Sequence, residues 1–122
     1  MKILLADINE AIIESVRFAI KSCQSDWQVK TIDSGKQCLS IVNNGGCPDA
    51  IILGMQLRDI SGLDLIKQIR EDSDLPVIML SNSNNLHALV KAFDSGVNDY
   101  MVEPININIL IARLKALTRR RR

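Results

Sequence analysis

The chain is poor in glycine and proline, with six and three among 122 residues, and it contains no low-complexity tract. No apolar run approaches the ~20 residues needed to cross a bilayer, which excludes a membrane-spanning helix of that kind. The start, Met1-Lys2-Ile3-Leu4-Leu5-Ala6-Asp7, meets an acidic residue after four apolar ones, too early for the apolar stretch of a signal peptide, so a cytosolic location is expected. There is a single histidine, His87, and the three cysteines, Cys23, Cys38 and Cys47, are odd in number, widely spaced and without a CxxC pair. That pattern supports neither a disulfide framework nor a zinc site, and it predicts reduced packing residues with no metal and no cofactor. The net charge of +1 conceals an asymmetry, because Arg119 to Arg122 are all basic; the preceding body holds 11 basic against 14 acidic residues, or −3. A mildly acidic body is a poor match for nucleic-acid phosphates, which require clustered Lys or Arg.

What is present is a composition of 47% hydrophobic and 24% charged residues, suited to one compact domain with a single core. Ile3 to Ala6 is a short apolar run of the kind shown by a strand buried on both faces. Ile12, Val16, Ala19, Ile20 and Cys23 then recur at helical spacing, with Asn9 or Asp7 available as a cap. Trp27 to Ile32 reads as a second strand. A helix beginning at Asp33 or Ser34 carries Cys38, Leu39, Ile41 and Val42 and stops at Asn43-Asn44-Gly45-Gly46. Ala50 to Leu53 is a third strand, followed by a loop from Gly54 to Gly62 and a helix with Leu63, Ile66 and Ile69. Pro76 to Leu80 is the fourth strand, and the helix carrying Leu86, Leu89, Val90 and Phe93 ends at Gly96. Asp99 to Val102 makes a short fifth strand, and a last helix follows Pro104. Five βα units with short connections require a parallel sheet covered on both faces, a doubly wound α/β fold. In such sheets function gathers beyond the carboxyl ends of the strands, here near Asp7, Gly54, Ser81 and Glu103.

Over essentially its whole length the sequence resembles the response-regulator receiver domain, the CheY-like, flavodoxin-like (βα)5 fold with strand order 2-1-3-4-5. Asp49-Ala50-Ile51-Ile52-Leu53-Gly54-Met55 matches the family's third strand and Ile60-Ser61-Gly62-Leu63 the loop into its third helix. Pro76 to Ser81 matches the fourth strand, and Gly96-Val97-Asn98-Asp99-Tyr100-Met101-Val102-Glu103-Pro104 the fifth. The resemblance implies Mg²⁺-assisted phosphoryl transfer from a sensor kinase to an aspartate ending the third strand, but that position is Gly54. The adjacent acidic pair that holds the metal is reduced to Asp7, with Ile8 in the place of the direct ligand. One carboxylate is too little charge for Mg²⁺, which takes several oxygens in octahedral array. The lysine before the fifth-strand proline is Glu103. Ser81 stands at the hydroxyl position that contacts the phosphoryl group, and Tyr100 at the aromatic position that changes rotamer on activation; serine at a strand end and a buried tyrosine are also common without any switch. Asp49 and Asp59 lie outside this pocket and read as strand-start and turn residues. The family's matching bond makes Glu103-Pro104 an expected cis peptide.

The ending, Ala112-Arg113-Leu114-Lys115-Ala116-Leu117-Thr118-Arg119-Arg120, is similar to receivers of the OmpR/PhoB class, which precede a winged-helix DNA-binding domain. In that class the fourth helix, fifth strand and last helix form a dimer face with cross-subunit ion pairs. Val90, Phe93 and Ala112 match its apolar centre, and Asp99 with Arg113 matches one ion pair. A second family pair falls on Leu89 and Ile109, so both of its charges have become apolar together. Helical spacing agrees independently: Ile107, Leu110, Ile111, Leu114 and Leu117 fill one face of the last helix, while Ile105, Ile109, Ala112 and Ala116 line the opposite side. These readings predict an atypical, phosphorylation-independent receiver without enzymatic activity that forms a homodimer, reaches DNA only through a separate C-terminal domain and is not a sensor-kinase substrate. Arg119 to Arg122 then read as the start of a linker to that domain. The competing expectation is a stand-alone adaptor that binds a partner protein through the same face.

Overall fold

The computed structural model describes residues 1–46 and 48–120. Five parallel strands, β1 (Lys2–Ala6), β2 (Gln28–Ile32), β3 (Ala50–Gly54), β4 (Val77–Ser81) and β5 (Asp99–Val102), form one sheet in the order β2-β1-β3-β4-β5. Helices α1 (Glu10–Cys23), α2 (Gly35–Asn43), α3 (Gly62–Asp72), α4 (Leu86–Ser95) and α5 (Ile107–Arg120) follow the strands in strict alternation. The expected flavodoxin-like architecture is therefore the observed one.

Side chains alternate across a strand, and the core divides along that period. Ile3, Leu5, Ile52, Ile78 and Leu80 point to one side, where Val16 and Ile20 of α1 and Leu110, Ile111 and Leu114 of α5 cover them. Leu4, Ala6, Ile51, Leu53, Val77 and Met79 point to the other, under Cys38 of α2, Leu65, Ile66 and Ile69 of α3 and Ala92 of α4. The three central strands are buried on both faces, which explains why their sequences are near-continuous apolar runs.

Helix starts are set by short polar side chains. The side chains of Asn9, Ser34, Ser61 and Asn85 accept from Ile12 N, Gln37 N, Asp64 N and His87 N. Gly96 ends α4 in the left-handed region at φ 119°, a conformation that costs a residue with a side chain more than it costs glycine.

Several sequence expectations need correction. Trp27 is buried but precedes β2, and Pro76 precedes β4. Cys38 is a buried packing residue whose thiol burial pushes up to about 11, whereas Cys23, the last residue of α1, is exposed. Cys47 lies outside the described residues. Ile105 is not on the outer side of α5: the helix begins at Ile107, with Asn106 Oδ1 accepting from Ile109 N at 3.1 Å, and Ile105 packs against the core. Arg119 and Arg120 belong to the last turn of α5, and their charges suit its carboxyl end. Arg121 and Arg122 lie outside the described residues.

Candidate functional site

The strand registers Ala6 to Leu53, Gly54 to Leu80 and Ser81 to Val102 bring the carboxyl ends of four strands to one edge of the sheet. Asp7, Gly54, Ser81 and Glu103 all lie at that edge, where Asp7 packs on Gly54 and Glu103 N donates to Ser81 O. Asp7 is 8% exposed. Its Oδ1 accepts from Ile8 N at 2.7 Å and Asn9 N at 3.2 Å, which folds the carboxylate back over its own loop. Burial raises the pKa of this group above the ordinary value, and the two backbone hydrogen bonds act against the rise.

The carboxylate of Asp7 comes to rest on Gly54. A Cβ at position 54 would strike Asp7 Cγ and Oδ2 and would lie 2.6 Å from Oδ1. Ile8 is 46% exposed and offers no side-chain oxygen. Among the described residues no three His, Cys, Asp or Glu side chains gather as a ligand set for a metal ion. Glu103 donates its backbone N–H to Ser81 O at 2.8 Å, and its carboxylate makes no ion pair among the described residues. Asp7, Ile8, Gln56, Asn82 and Glu103 border an open cavity of about 240 Å³, and Asp7 and Ile8 also border a larger one of about 520 Å³ toward β2. The Glu103-Pro104 bond is cis, as the resemblance implies.

Ser81 and Tyr100 converge on one residue that the sequence did not single out. Ser81 Oγ accepts from Ser83 N at 2.9 Å, and Tyr100 Oη donates to Ser83 O at 3.1 Å. Both side chains are buried. The tyrosine hydroxyl is therefore tied to backbone rather than left to water, and the loop between β4 and α4 is latched to β5.

On the neighbouring surface Val90 and Phe93 of α4 and Ile109 of α5 are 45%, 43% and 44% exposed, and Ala112 is exposed beside them on α5. Leu89 differs from the expectation: it is half-buried and packs on the core. Asp99 and Arg113, expected to pair between subunits, pair within the chain, Oδ2 to Nε at 3.3 Å.

Two further side chains act at long sequence range. Asp59 is a turn residue, as expected, but it also caps α2. Its carboxylate accepts from Gly35 N at 2.7 Å, Lys36 N at 3.2 Å and Ser34 Oγ at 3.2 Å, and its pKa is lowered, first by the bond from Gly35. Arg70 donates from Nε to Gly96 O and from Nη2 to Asn98 Oδ1, both at 2.8 Å, while the same Oδ1 accepts from Val77 N. No single local pattern marks either residue, because these partners lie 23 to 28 positions away in the sequence.

Comparison with known proteins agrees with this geometry. The family model for the response regulator receiver domain matches residues 3–115. The response regulator MprA of Mycobacterium sp. (strain KMS) is 30% identical over 121 residues, covering 98% of this chain and 51% of that protein. The transcriptional regulatory protein KdpE of Staphylococcus aureus is 33% identical over 118 residues, covering 97% and 50%. The chain thus spans about half the length of these relatives. Among solved structures, the receiver domain of Francisella response regulator 1452 superposes with a TM-score of 0.86 at 26% identity, over 99% of this chain and 98% of that one. A two-component response regulator from Clostridium difficile gives 0.87 at 25%, over 98% and 97%. No helix among the described residues is long and apolar enough to cross a membrane. With its parallel sheet in the order 2-1-3-4-5 and a family match over nearly its whole length, the chain belongs to the response regulator receiver domain family.

Proposed function

We propose that this receiver works in the cytosol without phosphorylation, as the dimerising part of a DNA-binding transcriptional regulator of the OmpR/PhoB class. The observation that carries the reading is the Asp7 carboxylate lodged in the space an acceptor side chain at Gly54 would need. The residues present do not fit Mg²⁺ either: Gly54 and Ile8 supply no side-chain oxygen, and Asp7 spends Oδ1 on two backbone N–H groups. Glu103 adds a negative charge where the family's lysine would meet an anion. A sensor kinase finds no acceptor here.

Assembly then has to come from the surface itself. Val90, Phe93, Ile109 and Ala112 supply exposed apolar area on α4 and α5. Burying a side chain such as Ile109 across a twofold interface contributes about 1.5 to 3 kcal/mol, against roughly 0 to 1 for an exposed ion pair. The Asp99–Arg113 pair is satisfied within one chain, so the apolar residues carry the association. DNA contact belongs to a separate domain, a reading supported by transcriptional regulators among the relatives and by the half-length coverage.

The test is the solution mass of residues 1 to 122 by light scattering at several concentrations without phosphodonor, for the parent and for Ile109→Glu. A dimer that the substitution splits supports the proposal, and a monomer at every concentration overturns it. Intact mass after acetyl phosphate checks the other half: a phosphoryl adduct on the parent chain would overturn phosphorylation independence.

A further inference from the structure

Nine asparagines occur in the chain, and only Asn44 is followed by glycine. The carboxamide carbon of an asparagine is open to attack by the backbone nitrogen of the next residue, and a side chain on that residue crowds the approach. Asn44 is the cap residue after α2, with φ −105° and ψ 24°, and both it and Gly45 are exposed. Gly45 sits in the left-handed region at φ 79°, and a Cβ there would meet nothing within 4 Å beyond its chain neighbours. Its N–H donates to no acceptor among the described residues, so the attacking nitrogen is uncommitted.

Asn82, Asn84 and Asn98 also stand outside helices and strands, and each is guarded. Ser83 N, which follows Asn82, donates to Ser81 Oγ at 2.9 Å, and Asn85 N, which follows Asn84, donates to Ser83 Oγ at 3.2 Å. Asn98 Oδ1 accepts from Arg70 Nη2 and Val77 N, both at 2.8 Å, which fixes its carboxamide. The restraints on Asn44 all come from the end of one helix. Its Nδ2 donates to Ser40 Oγ at 3.2 Å, its N–H donates to Ser40 O at 3.0 Å, and Gly46 N–H donates to Ile41 O at 3.2 Å. Helix ends fray, and fraying of this turn permits the backbone rotation at Asn44 that brings the Gly45 nitrogen to the carboxamide carbon.

We infer that Asn44 is a deamidation site. The Gly45 nitrogen bonds to the Asn44 carboxamide carbon, the carbon–nitrogen bond of the side-chain amide breaks, and ammonia leaves carrying the proton that the Gly45 nitrogen gives up. Water then opens the resulting five-membered succinimide at either carbonyl, leaving an aspartyl or an isoaspartyl residue. The product adds a carboxylate at the carboxyl end of α2, the negative pole of the helix, in a last turn that holds no basic residue. The isoaspartyl form also lengthens the backbone by one methylene and draws Gly46 N–H away from Ile41 O. The step runs one way in water, so the converted fraction grows with the age of the chain, and it is independent of phosphorylation and of the α4 and α5 surface.

The experiment incubates the folded 1–122 chain at neutral and mildly alkaline pH and follows its tryptic peptides, residues 37–58 above all, by mass spectrometry with fragmentation. The expected result is conversion of amide to acid at Asn44 before Asn43, Asn82, Asn84 or Asn98. Conversion is expected to be faster in alkali, which deprotonates the attacking nitrogen, and to slow about tenfold or more in Gly45→Ala, whose methyl group crowds that nitrogen. Asn44→Gln leaves Gly45 in place but closes only a less favourable six-membered ring, and it is expected to show no product. Asn44→Asp supplies the aspartyl peptide as a standard, and a second peptide of equal mass and different elution marks isoaspartate. An Asn44 amide that persists in the folded chain overturns the inference, as does a rate unchanged in Gly45→Ala or conversion that begins at another asparagine.

Discussion

Asp7 and Gly54 share one volume: the Cβ that any other residue would carry at position 54 falls against the Asp7 carboxylate. Gly54→Asp therefore does not restore an acceptor. It adds a side chain to filled space and sets a second carboxylate against a buried one, with an expected loss of about 1 to 3 kcal/mol from overpacking. Thermal unfolding measures the loss, and intact mass after acetyl phosphate is expected to show no adduct. Combining Gly54→Asp with Asp7→Ala empties the contested space, and the double variant is expected to be more stable than Gly54→Asp alone.

Asp7 gives a pH dependence of definite sign. Its pKa is raised in the folded chain, so its favourable contribution is present below the ordinary value of 3.8 and is lost as pH rises through the folded pKa. At neutral pH the buried charge costs stability. Asp7→Asn, whose amide oxygen can still accept from Ile8 N and Asn9 N, is expected to be more stable than the parent at pH 7. The difference should shrink below the ordinary value, as urea titrations at the two pH values would show.

The opposite sign holds for Asp59. Its pKa is lowered, so its contribution is present above 3.8 and is lost as pH falls through the folded value. Asp59→Ala removes the acceptor shared by Ser34, Gly35 and Lys36 and is expected to be less stable than the parent at pH 7. The two proteins should converge in acid, and a variant whose deficit is the same at all pH values would show that the charge has no part in the cap.

Tyr100→Phe deletes one hydrogen bond and leaves the buried ring in place. The cost is expected at about 0.5 to 1.5 kcal/mol, as for a single neutral hydrogen bond. Amide exchange should quicken in residues 82–86, where the loop loses its tie to β5, while the strands keep their protection.

The fold was legible because the strands announce themselves. Ile51, Ile52 and Leu53, or Val77 to Leu80, are apolar at every position, the pattern of a strand covered on both faces. The resemblance placed Asp7, Gly54, Ser81 and Glu103 at the carboxyl ends of their strands, and the fold puts those ends side by side. What escaped were relations made across the fold. Nothing around Ser83 in the sequence says that Ser81 and Tyr100 both end on its backbone, and nothing around Arg70 points to Gly96 and Asn98. The placement of Ile105 was missed because Asn106 starts the helix after it, so the spacing count began too early.

The Ser83 latch and the Arg70 contacts lie at opposite ends of the same helix. Before α4, the loop is tied to Ser81 and Tyr100; after it, Gly96 O is held by Arg70, which also grips Asn98 at the entry to β5. The helix is thus a beam supported at both ends rather than a lever hinged at one. A protein that docks along Val90 and Phe93 meets a surface already in its final shape. Less conformational freedom is surrendered at that encounter, and affinity depends correspondingly more on how well the partner's contour fits.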